Sequence, residues 1–439
     1  MGEDLTSSVV SVLMPDRTSM AGGGLMLNNN RVVASAETVA RALGIAPGIA
    51  PPAGSQLLLE FSLIAPKKPI RAKLIYWPPT QSDEAAGAAG HENIAVLELE
   101  EAPPTEKKAE EFFSTSVPTD EHYDSVIDSL KEGELVPFFG AGVNLCGRPD
   151  NTAWRLGQYL PSGGELAVYL ANKFNYPWAE TSNLLRVSQY IALIRGVGPL
   201  NKRLREVFIA EYPPTPLHRF FAGLPKVLQQ KTGRAAHQLI VTTNYDDVME
   251  RAFAAAGEEC DVVTYMTGGS HEQRGKFLHW SPNGDVRLIE RPNEYRLPLD
   301  EHRNLQRSVV LKIHGAVDRS TPNRDSYVIT EDHYIDYLTR SDISSLVPIT
   351  LAEKLKSSNF LFLGYSLRDW NLRVILHRIW MEQQQNANYK SWAIQLKPER
   401  LEQKFWENRD VEIFHAPLAD YITDLNRQLE AQPDAEGGI

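Results

Sequence analysis

The chain has 439 residues, and domains usually hold about 100–200 residues, so we expect two or three domains. Hydrophobic residues make up 42% and charged residues 23%, the balance of a globular protein that folds in water. The formal net charge of -11 would repel a phosphate backbone, so nucleic acid is not expected as the main partner.

Several targeting and cofactor classes are excluded on sequence grounds. No apolar run reaches the roughly 20 residues of a bilayer span, and the N-terminus has no signal-peptide pattern. The two cysteines, Cys146 and Cys260, are too few for a four-thiolate zinc site. We therefore expect a cytoplasmic protein with no membrane contact and no bound metal.

Residues 1–102 are predicted to form a small all-β domain. Short apolar or alternating runs are separated by Gly, Asn, Pro and Ser clusters, which is typical of an antiparallel barrel or sandwich. Residues 103–122 are charged and contain proline without periodicity, which indicates a linker. The predicted strands are SSVVSVLM, GGGLML, RVVASA, QLLLEFSLIA, IRAKLIYW and NIAVLELE.

Residues 123–430 are predicted to form an α/β domain. Short, nearly all-apolar runs are typical of parallel strands that helices cover on both faces. Helical segments follow several runs, which predicts a doubly wound, Rossmann-like parallel sheet. Residues 151–235 carry apolar residues at helical spacing and are predicted to be an inserted helical module, and residues 431–439 a disordered tail. The predicted strands are VPFF, QLIVTT, SVVLKI, NFLFLG and SWAIQL, and the helices after them are DDVMERAFAAAG, LRDWNLRVILHRIWMEQQ and PERLEQKFWENR.

The first two of these strands end in residues that suit ligand contact, because open α/β sheets bind ligands outside the carboxyl ends of their strands. Gly140-Ala141-Gly142, here called the glycine loop, lets the backbone approach a ligand closely, and the following turn would direct N–H groups at a phosphate. Asn244 follows the second strand. An ordinary glycine turn, and helix capping by Asp246 or Asp247, explain the same residues without a ligand.

Two later strands end in the same way. His314 follows an apolar strand and precedes Gly315, and its titration near neutrality makes it a candidate general base. The strand NFLFLG ends at Gly364, and Ser366 follows. A buried histidine of the core and a helix start capped by Ser366 are the structural alternatives.

Taken in order, these segments resemble the motifs of the sirtuin superfamily over about residues 120–425. Gly140-Ala141-Gly142-Val143, continued by Gly147-Arg148-Pro149-Asp150, resembles the sirtuin glycine loop with its Gly-x-Pro-Asp continuation. Thr242-Thr243-Asn244-Tyr245-Asp246 resembles the Thr-Gln-Asn-Ile-Asp motif. His314-Gly315 resembles the His-Gly motif, and Gly364-Tyr365-Ser366-Leu367 resembles the late Gly-Thr-Ser-Leu motif that borders adenosine.

The sequence departs from protein-deacetylating sirtuins in two respects. It lacks their two Cys-x-x-Cys pairs for structural zinc, and Asn144 stands where they have serine. It is therefore more similar to bacterial sirtuin-like effectors of antiphage defence, which hydrolyse NAD. The resemblance implies NAD as the substrate, no metal, and control of the activity by another domain or partner.

The resemblance also implies roles in cleaving NAD to nicotinamide and ADP-ribose. Asn244 would hydrogen-bond the ribose hydroxyls and position water, and His314 would act as the base. Asp246 would order the nicotinamide end. The remaining residues expected to contact the dinucleotide are Gly140, Ala141, Gly142, Asn144, Asp150, Thr243, Gly315, Gly364 and Ser366.

Within residues 1–102, GGGLMLNNNRVVASAETV and NIAVLELE resemble the first barrel of chymotrypsin-fold, trypsin-like peptidases. The catalytic His and Asp positions hold Glu37 and Asn93, and there is no room for a second barrel with its nucleophile. The resemblance implies a degenerate trypsin-like half-domain for recognition or assembly, through which a protein partner would activate or inhibit the chain. Another small β-domain would fit the same runs.

Other functions stay open at the level of sequence. The domain could bind NAD or an ADP-ribose derivative as a sensor without turnover. It could also be a protein deacylase or an ADP-ribosyltransferase, although the missing zinc cysteines argue against deacylation. Because sirtuin-like effectors often assemble into oligomers, the resemblance also implies a homo-oligomer, with residues 151–235 as its candidate interface.

Overall fold

The computed structural model describes residues 9–14, 20–28, 31–46, 49–52, 54–60, 69–77, 94–100, 116–149, 152–234, 236–270, 272–300, 304–339, 347–365, 389–396, 403, 406–407 and 411–435. The chain divides into two compact units, Met1–Thr115 with Glu399–Phe405 and Ser116–Pro398 with Trp406–Ile439. Most of the predicted linker and the last four residues of the predicted tail lie outside the described residues.

The described strands of the first unit form a closed antiparallel barrel in the order β1-β2-β3-β6-β5-β4. Alternate residues of four of these strands, within residues 31–35, 56–60, 70–76 and 95–99, are buried in it, as the period of a half-buried strand requires. This unit also contains a helix that was not predicted, α1 (Ala36–Leu43), which Ser35 caps. The strands are β1 (Val9–Leu13), β2 (Met20–Asn28), β3 (Arg31–Ser35), β4 (Gln56–Glu60), β5 (Ile70–Tyr76) and β6 (Ile94–Leu99).

The second unit is a mixed α/β structure, as expected. Its described strands form one sheet in the order β11-β10-β9-β12-β8-β7-β13-β14-β15. The strands from β9 to β15 in this order run parallel, and β10 pairs antiparallel with both β9 and β11. They are β7 (Leu135–Phe139), β8 (Leu239–Thr242), β9 (Cys260–Tyr265), β10 (Phe277–Trp280), β11 (Val286–Ile289), β12 (Ser308–Lys312), β13 (Asn359–Leu363), β14 (Ser391–Gln395) and β15 (Val411–His415).

The order of the strands creates a switch point beside β7. From β7 the chain first adds β8, β9 and β12 on one side, and then crosses to add β13, β14 and β15 on the other. Loops leave β7 and β13 in opposite directions at such a point and open a crevice at the carboxyl edge of the sheet. The switch point therefore lies between the glycine loop after β7 and Gly364 after β13.

One face of the sheet is covered by four helices in a single hydrophobic core. These are α2 (Asp120–Lys131), α6 (Pro216–Thr232), α7 (Val248–Ala256) and α10 (Leu418–Ala431). A capping box between Thr215 and His218 fixes the start of α6. Two shorter helices, α8 (Glu331–Thr339) and α9 (Ile349–Lys356), follow β12 in the chain.

The predicted helical module, residues 151–235, contains helices of two packing groups. α3 (Gly163–Phe174), α4 (Leu184–Arg195) and α5 (Val197–Phe208) share a core of their own. The helix α6 packs instead with the core of the sheet. Tyr245 and Val317 also belong to the core of α3–α5, so the helices pack directly against two of the motif segments.

Two further predicted helices fall where little of the chain is described. LRDWNLRVILHRIWMEQQ lies outside the described residues, and within PERLEQKFWENR only Gln403, Trp406 and Glu407 are described, all helical. Among the helices that are described, none has the length and apolar character that crossing a membrane would demand.

Candidate active site

The glycine loop packs backbone against backbone on the end of β13. Gly140 N donates to Leu363 O at 3.0 Å, and Gly142 N donates to Gly364 O at 2.9 Å. A Cβ at Gly140 would lie 2.5 Å from Gly364 O, and a Cβ at Gly142 2.6 Å from the same atom. Glycine is therefore required here because the two loops of the switch point touch through their peptide groups.

Gly364 completes this contact from the other side. Its φ of +63° is left-handed, a conformation that side chains with a Cβ rarely adopt. A Cβ there would also lie 2.6 Å from the carbonyl carbon of Gly142. Tyr365 is buried directly after it, and its carbonyl oxygen accepts a hydrogen bond from Gln395 Nε2 at 3.2 Å.

Asn244 lies at the carboxyl end of β8 and contacts the glycine loop. Its Nδ2 donates to Gly140 O at 3.2 Å, and its backbone N–H donates to Thr242 Oγ1 at 3.0 Å. The N–H of Thr243 donates to Phe139 O at 3.3 Å. The second motif is thus fixed to the first, and Asn244 remains half-buried.

Asp246 is placed below the surface and does not line an open face. It is only 4% exposed, and its Oδ1 accepts the N–H of Val248 at 3.0 Å at the start of α7. Burial raises the pKa of Asp246 above its ordinary value, and the nearby Lys312 ammonium opposes the rise. Its Oδ2 has no hydrogen-bond partner among the described residues.

Asp247 is the first flanking residue of α7, but its side chain serves an ion-pair network. It pairs with Arg251 at 3.1 Å and with Arg319. Burial alone would raise the pKa of Asp247, yet the two guanidinium groups bring it below the ordinary value. Arg319 also donates to the carbonyl oxygens of Ile209 and Ala210, so it ties the end of α5 to the start of α7.

His314 follows β12 and is 2% exposed. Its ring meets Tyr334 edge to face at a centroid distance of 5.5 Å, and its carbonyl oxygen accepts the N–H of Val328 at 2.8 Å. Gly315 has a φ of +90°, and a Cβ there would overlap the carbonyl oxygen of Ser326. The glycine after His314 is thus required by its backbone conformation and by the chain that packs over it.

The second and third motifs are joined by their backbones. Ile313 N donates to Thr242 O at 3.1 Å, and Val317 N donates to Tyr245 O at 2.9 Å. The hydroxyl of Tyr245 in turn donates to Val328 O at 2.7 Å. The described parts of all four motif segments are therefore connected at the carboxyl edge of the sheet.

A cavity of about 240 Å3 lies beside the short 3-10 turn that follows the glycine loop. Asn144 lines it and is 5% exposed; its Nδ2 donates to Pro161 O at 3.3 Å, and its Oδ1 has no partner among the described residues. Arg148 also lines it, but its guanidinium is paired with Glu165 at 2.8 Å. Ligand pockets usually enclose about 300–1,000 Å3, so this cavity suits part of a dinucleotide.

Two of the predicted contact residues, Asp150 and Ser366, lie outside the described residues, as does Asn93 of the first unit. Sequence reasoning also missed one buried ionic residue of the site. Lys312 is the last residue of β12 and lies two positions before His314. A lysine within the otherwise apolar run SVVLKI was the available signal, because lysine is almost never fully buried without a partner. Within the described ranges, no group of three or more His, Cys, Asp or Glu side chains could hold a metal ion.

Comparison with known families agrees with this arrangement. Residues 238–414, which include the second and third motifs and Gly364, match the family model of the SIR2-like domain. Over these residues the chain is therefore similar to SIR2-like domains.

Individual relatives extend the similarity toward the N-terminus. The chain is 23% identical to "Defense-associated sirtuin 2" of Bacillus subtilis over 328 residues, which is 74% of this chain. It is 27% identical over 266 residues to "NAD(+) hydrolase ThsA" of Acinetobacter baumannii (strain 532279), and 26% identical over 254 residues to the protein of that name from Enterococcus faecium, which is 60% and 57% of this chain. The matches span 27%, 42% and 41% of the three relatives, so each is much longer than the part it shares.

Proposed function

We propose that this chain is an NAD glycohydrolase that cleaves NAD to nicotinamide and ADP-ribose and acts as a regulated effector of antiphage defence. One structural observation supports this proposal above the others. The contact of Asn244 Nδ2 with Gly140 O joins the residue proposed for chemistry to the loop proposed for the diphosphate, at the switch point of the sheet. Two of the relatives are named as NAD(+) hydrolases, and the name of the third associates it with defence.

The reaction requires little acid catalysis. The bond between C1′ of the ribose and N1 of nicotinamide breaks, and its electron pair neutralises the pyridinium nitrogen. The oxygen of water bonds to C1′, and one proton of that water is lost. The protein therefore has to exclude bulk water, orient the ribose and place one water with a nearby base.

In the proposed mechanism Asn244 orients the ribose and the water, since its Nδ2 is held on Gly140 O and its Oδ1 can accept from a hydroxyl. His314 takes the proton released from that water or a ribose hydroxyl. Asn144 offers an acceptor through Oδ1 inside its cavity, and Asp246 supports the nicotinamide end from below. The glycine loop, Asp150, Thr243, Gly315, Gly364 and Ser366 complete the proposed binding surface.

The test measures products of the full-length chain with NAD in water enriched in oxygen-18. We expect nicotinamide release, with the heavy oxygen on the C1 hydroxyl of the ribose freed from nicotinamide. Because an effector is held inactive until triggered, the assay is repeated on bacteria that express the chain during phage infection, with cellular NAD as the readout. Unchanged NAD in cells that the chain protects would overturn the proposal.

A sensor that binds NAD or an ADP-ribose derivative without turnover is the second candidate. The 2% exposure of His314 favours it, because a base that deep needs a rearrangement to reach water. Calorimetry with NAD separates the two functions. Binding of one NAD per chain with no nicotinamide in protected, infected cells would establish the sensor.

We further propose that the second unit is a doubly wound Rossmann-like domain, with residues 151–235 as its helical module and homo-oligomer interface. The barrel of residues 1–102 would be a degenerate trypsin-like half-domain that receives an activating or inhibiting protein. Mass photometry of the full chain and of a chain lacking residues 1–102 tests both ideas, since only the module should govern self-association. The cytoplasmic location stays a prediction that cell fractionation can check.

A further inference from the structure

A lysine is buried at the base of the candidate site. Lys312 ends β12 in the middle of the parallel sheet and is 1% exposed. Its Nζ pairs with Glu250 Oε1 at 2.7 Å and donates to the backbone oxygen of Asp246. It therefore connects β12 to both α7 and the loop that follows β8.

A gain in stability alone does not explain why the ion pair between Lys312 and Glu250 is buried. Removing two charges from water costs several kcal/mol per ion by typical estimates, and well-packed apolar residues of similar volume often serve a core as well or better. The opposite carboxyls matter for the state of the lysine: burial lowers the pKa of Lys312, but Glu250 and Asp246 raise it above the ordinary value. Lys312 therefore stays a charged donor.

The acceptor of that donor lies close to the proposed chemistry. Asp246 comes two residues after Asn244, and Lys312 comes two residues before His314. A small cavity of about 10 Å3 lies between Asn244, Asp246, Glu250 and Lys312, enough for about one water. Removal of the ammonium would enlarge this space directly beneath the Asn244 loop.

We propose that Lys312 is a positioning residue that fixes the backbone of residues 244–246 relative to His314 through its bond to Asp246 O. The expected change in kcat rests on the proposed NAD hydrolysis, whereas the fixed position of the backbone of residues 244–246 does not depend on it. Glu250 has the subordinate task of keeping the lysine charged and pointed at that oxygen.

The test compares three variants of the full-length chain by thermal unfolding and by steady-state nicotinamide release. Lys312→Met removes the donor, and we expect a fall in kcat of about 100-fold, the scale of a misplacement near 1 Å, together with a lower Tm. Glu250→Gln keeps the ammonium and its hydrogen bond to Asp246 O but removes the charge that supports them, so we expect kcat to fall by about tenfold or less, a smaller loss than in Lys312→Met.

The double variant Lys312→Met, Glu250→Met separates positioning from stability. It removes both charges at similar volume, so the Tm should recover while kcat stays low and KM changes little. Recovery of both Tm and kcat would overturn the proposal, because the lysine would then serve the fold alone. An exposed pair outside the proposed interface, Arg291 and Glu294, provides the matched control, and Arg291→Met should change neither quantity.

Hydrogen exchange measures the backbone without any need for turnover. In the double variant the amides of residues 243–247 and 313–317 should exchange about ten times faster than in the wild type, with α10 unchanged as an internal reference. Unchanged exchange in both segments would overturn the proposal. If the wild type left NAD unchanged even in infected cells that it protects, but the exchange rose as expected, the proposed hydrolysis would fail and the positioning role would stand.

Discussion

The two edges of the nine-stranded sheet differ in what they offer a ligand. At the amino edge, residues before β7, β8, β12 and β13 line a cavity of about 730 Å3. At the carboxyl edge the cavity beside the glycine loop is about 240 Å3. Volume alone would place the site at the amino edge, whereas the four motifs meet at the other.

The charges of the amino-edge cavity explain why its size is a poor guide. Its cations Lys131 and Lys354 already donate to Gln432 Oε1 at 2.9 Å and to the carbonyl oxygen of Gly133. The lining of this cavity also holds equal numbers of basic and acidic residues. The basic residues are Lys131, Arg234 and Lys354, and the acidic residues are Glu132, Asp300 and Glu353. The described parts of the four motif segments are connected instead at the carboxyl edge, where we propose the active site.

The sharpest way to break this comparison is to remove one asparagine from each edge. Asn244→Ala should lower nicotinamide release by about 100- to 1,000-fold, the cost of losing one pre-oriented polar group. Asn304→Ala, in the amino-edge cavity, should leave the rate within about twofold. Equal losses in the two variants would remove the carboxyl edge as the active site.

The histidines allow a second paired test. His314→Ala should lower kcat by about 100-fold or more through loss of the base. His237 lines the amino-edge cavity, and His237→Ala should have little effect on kcat. An equal kcat in His314→Ala and His237→Ala would assign the base to another group.

The dependence of stability on pH also distinguishes the two edges of the sheet. The group to measure at the carboxyl edge is His218, which lines the small cavity beneath Asn244. Burial, with the nearby charges of Lys312, Arg219 and Arg251, lowers the pKa of His218 to about 3. The unfolded chain takes up the proton near pH 6.5, so stability is complete above that pH and falls as the pH drops toward 3.

We expect this one group to account for a loss of about 3 kcal/mol between pH 6.5 and 4. Urea unfolding of the wild type and of His218→Gln should show a smaller pH slope in the variant. The pKa of His237 at the amino edge is also lowered by burial, but His237 is only half-buried. His237→Gln should therefore change the slope less, and the reverse ranking would contradict the assignment.

The smallest expected effect concerns the glycine after His314. Gly315 and Gly284 have nearly equal φ, +90° and +89°, but a Cβ at Gly284 meets nothing within 4 Å. Gly284→Ala should cost about 1–2 kcal/mol of unfolding free energy from backbone strain alone. Gly315→Ala should cost about 1–3 kcal/mol more, because it also overpacks against Ser326. Equal losses of unfolding free energy in the two variants, measured by urea unfolding, would show that the backbone at Ser326 moves to accommodate the Cβ.

Most of the parallel sheet was predictable because its strands are short apolar runs bounded by polar residues. Four of the five predicted runs contain an observed strand, for example β12 within SVVLKI, and the fifth run, VPFF, lies within β7. Four strands were missed: β9, β10, β11 and β15. β9 carries Asp261 among its apolar residues, and β11 is mostly half-buried or exposed, so neither has the continuous apolar pattern of a central strand.

The candidate site was predictable as a set of strand ends, but not as a set of contacts. The sequence indicates that Gly140 and Gly142 need close backbone approach, and the natural inference is a ligand. The structure instead brings Gly364 against them, a residue more than two hundred positions away that no local pattern could pair with them. Burial of Asp246 and Lys312 likewise depends on α7 packing over the strand ends, which is a tertiary effect.

Because of the peptide contact between the glycine loop and Gly364, a bound anion and Gly364 O would compete for the same hydrogen-bond donor. The N–H of Gly142 is already given to Gly364 O. An anion that took this N–H would have to displace a carbonyl group that belongs to the other half of the sheet. Binding of an anion to this N–H and the hydrogen bond from Gly142 N to Gly364 O would then exclude each other. The contact between the two halves of the sheet would therefore differ between the anion-bound and the anion-free protein.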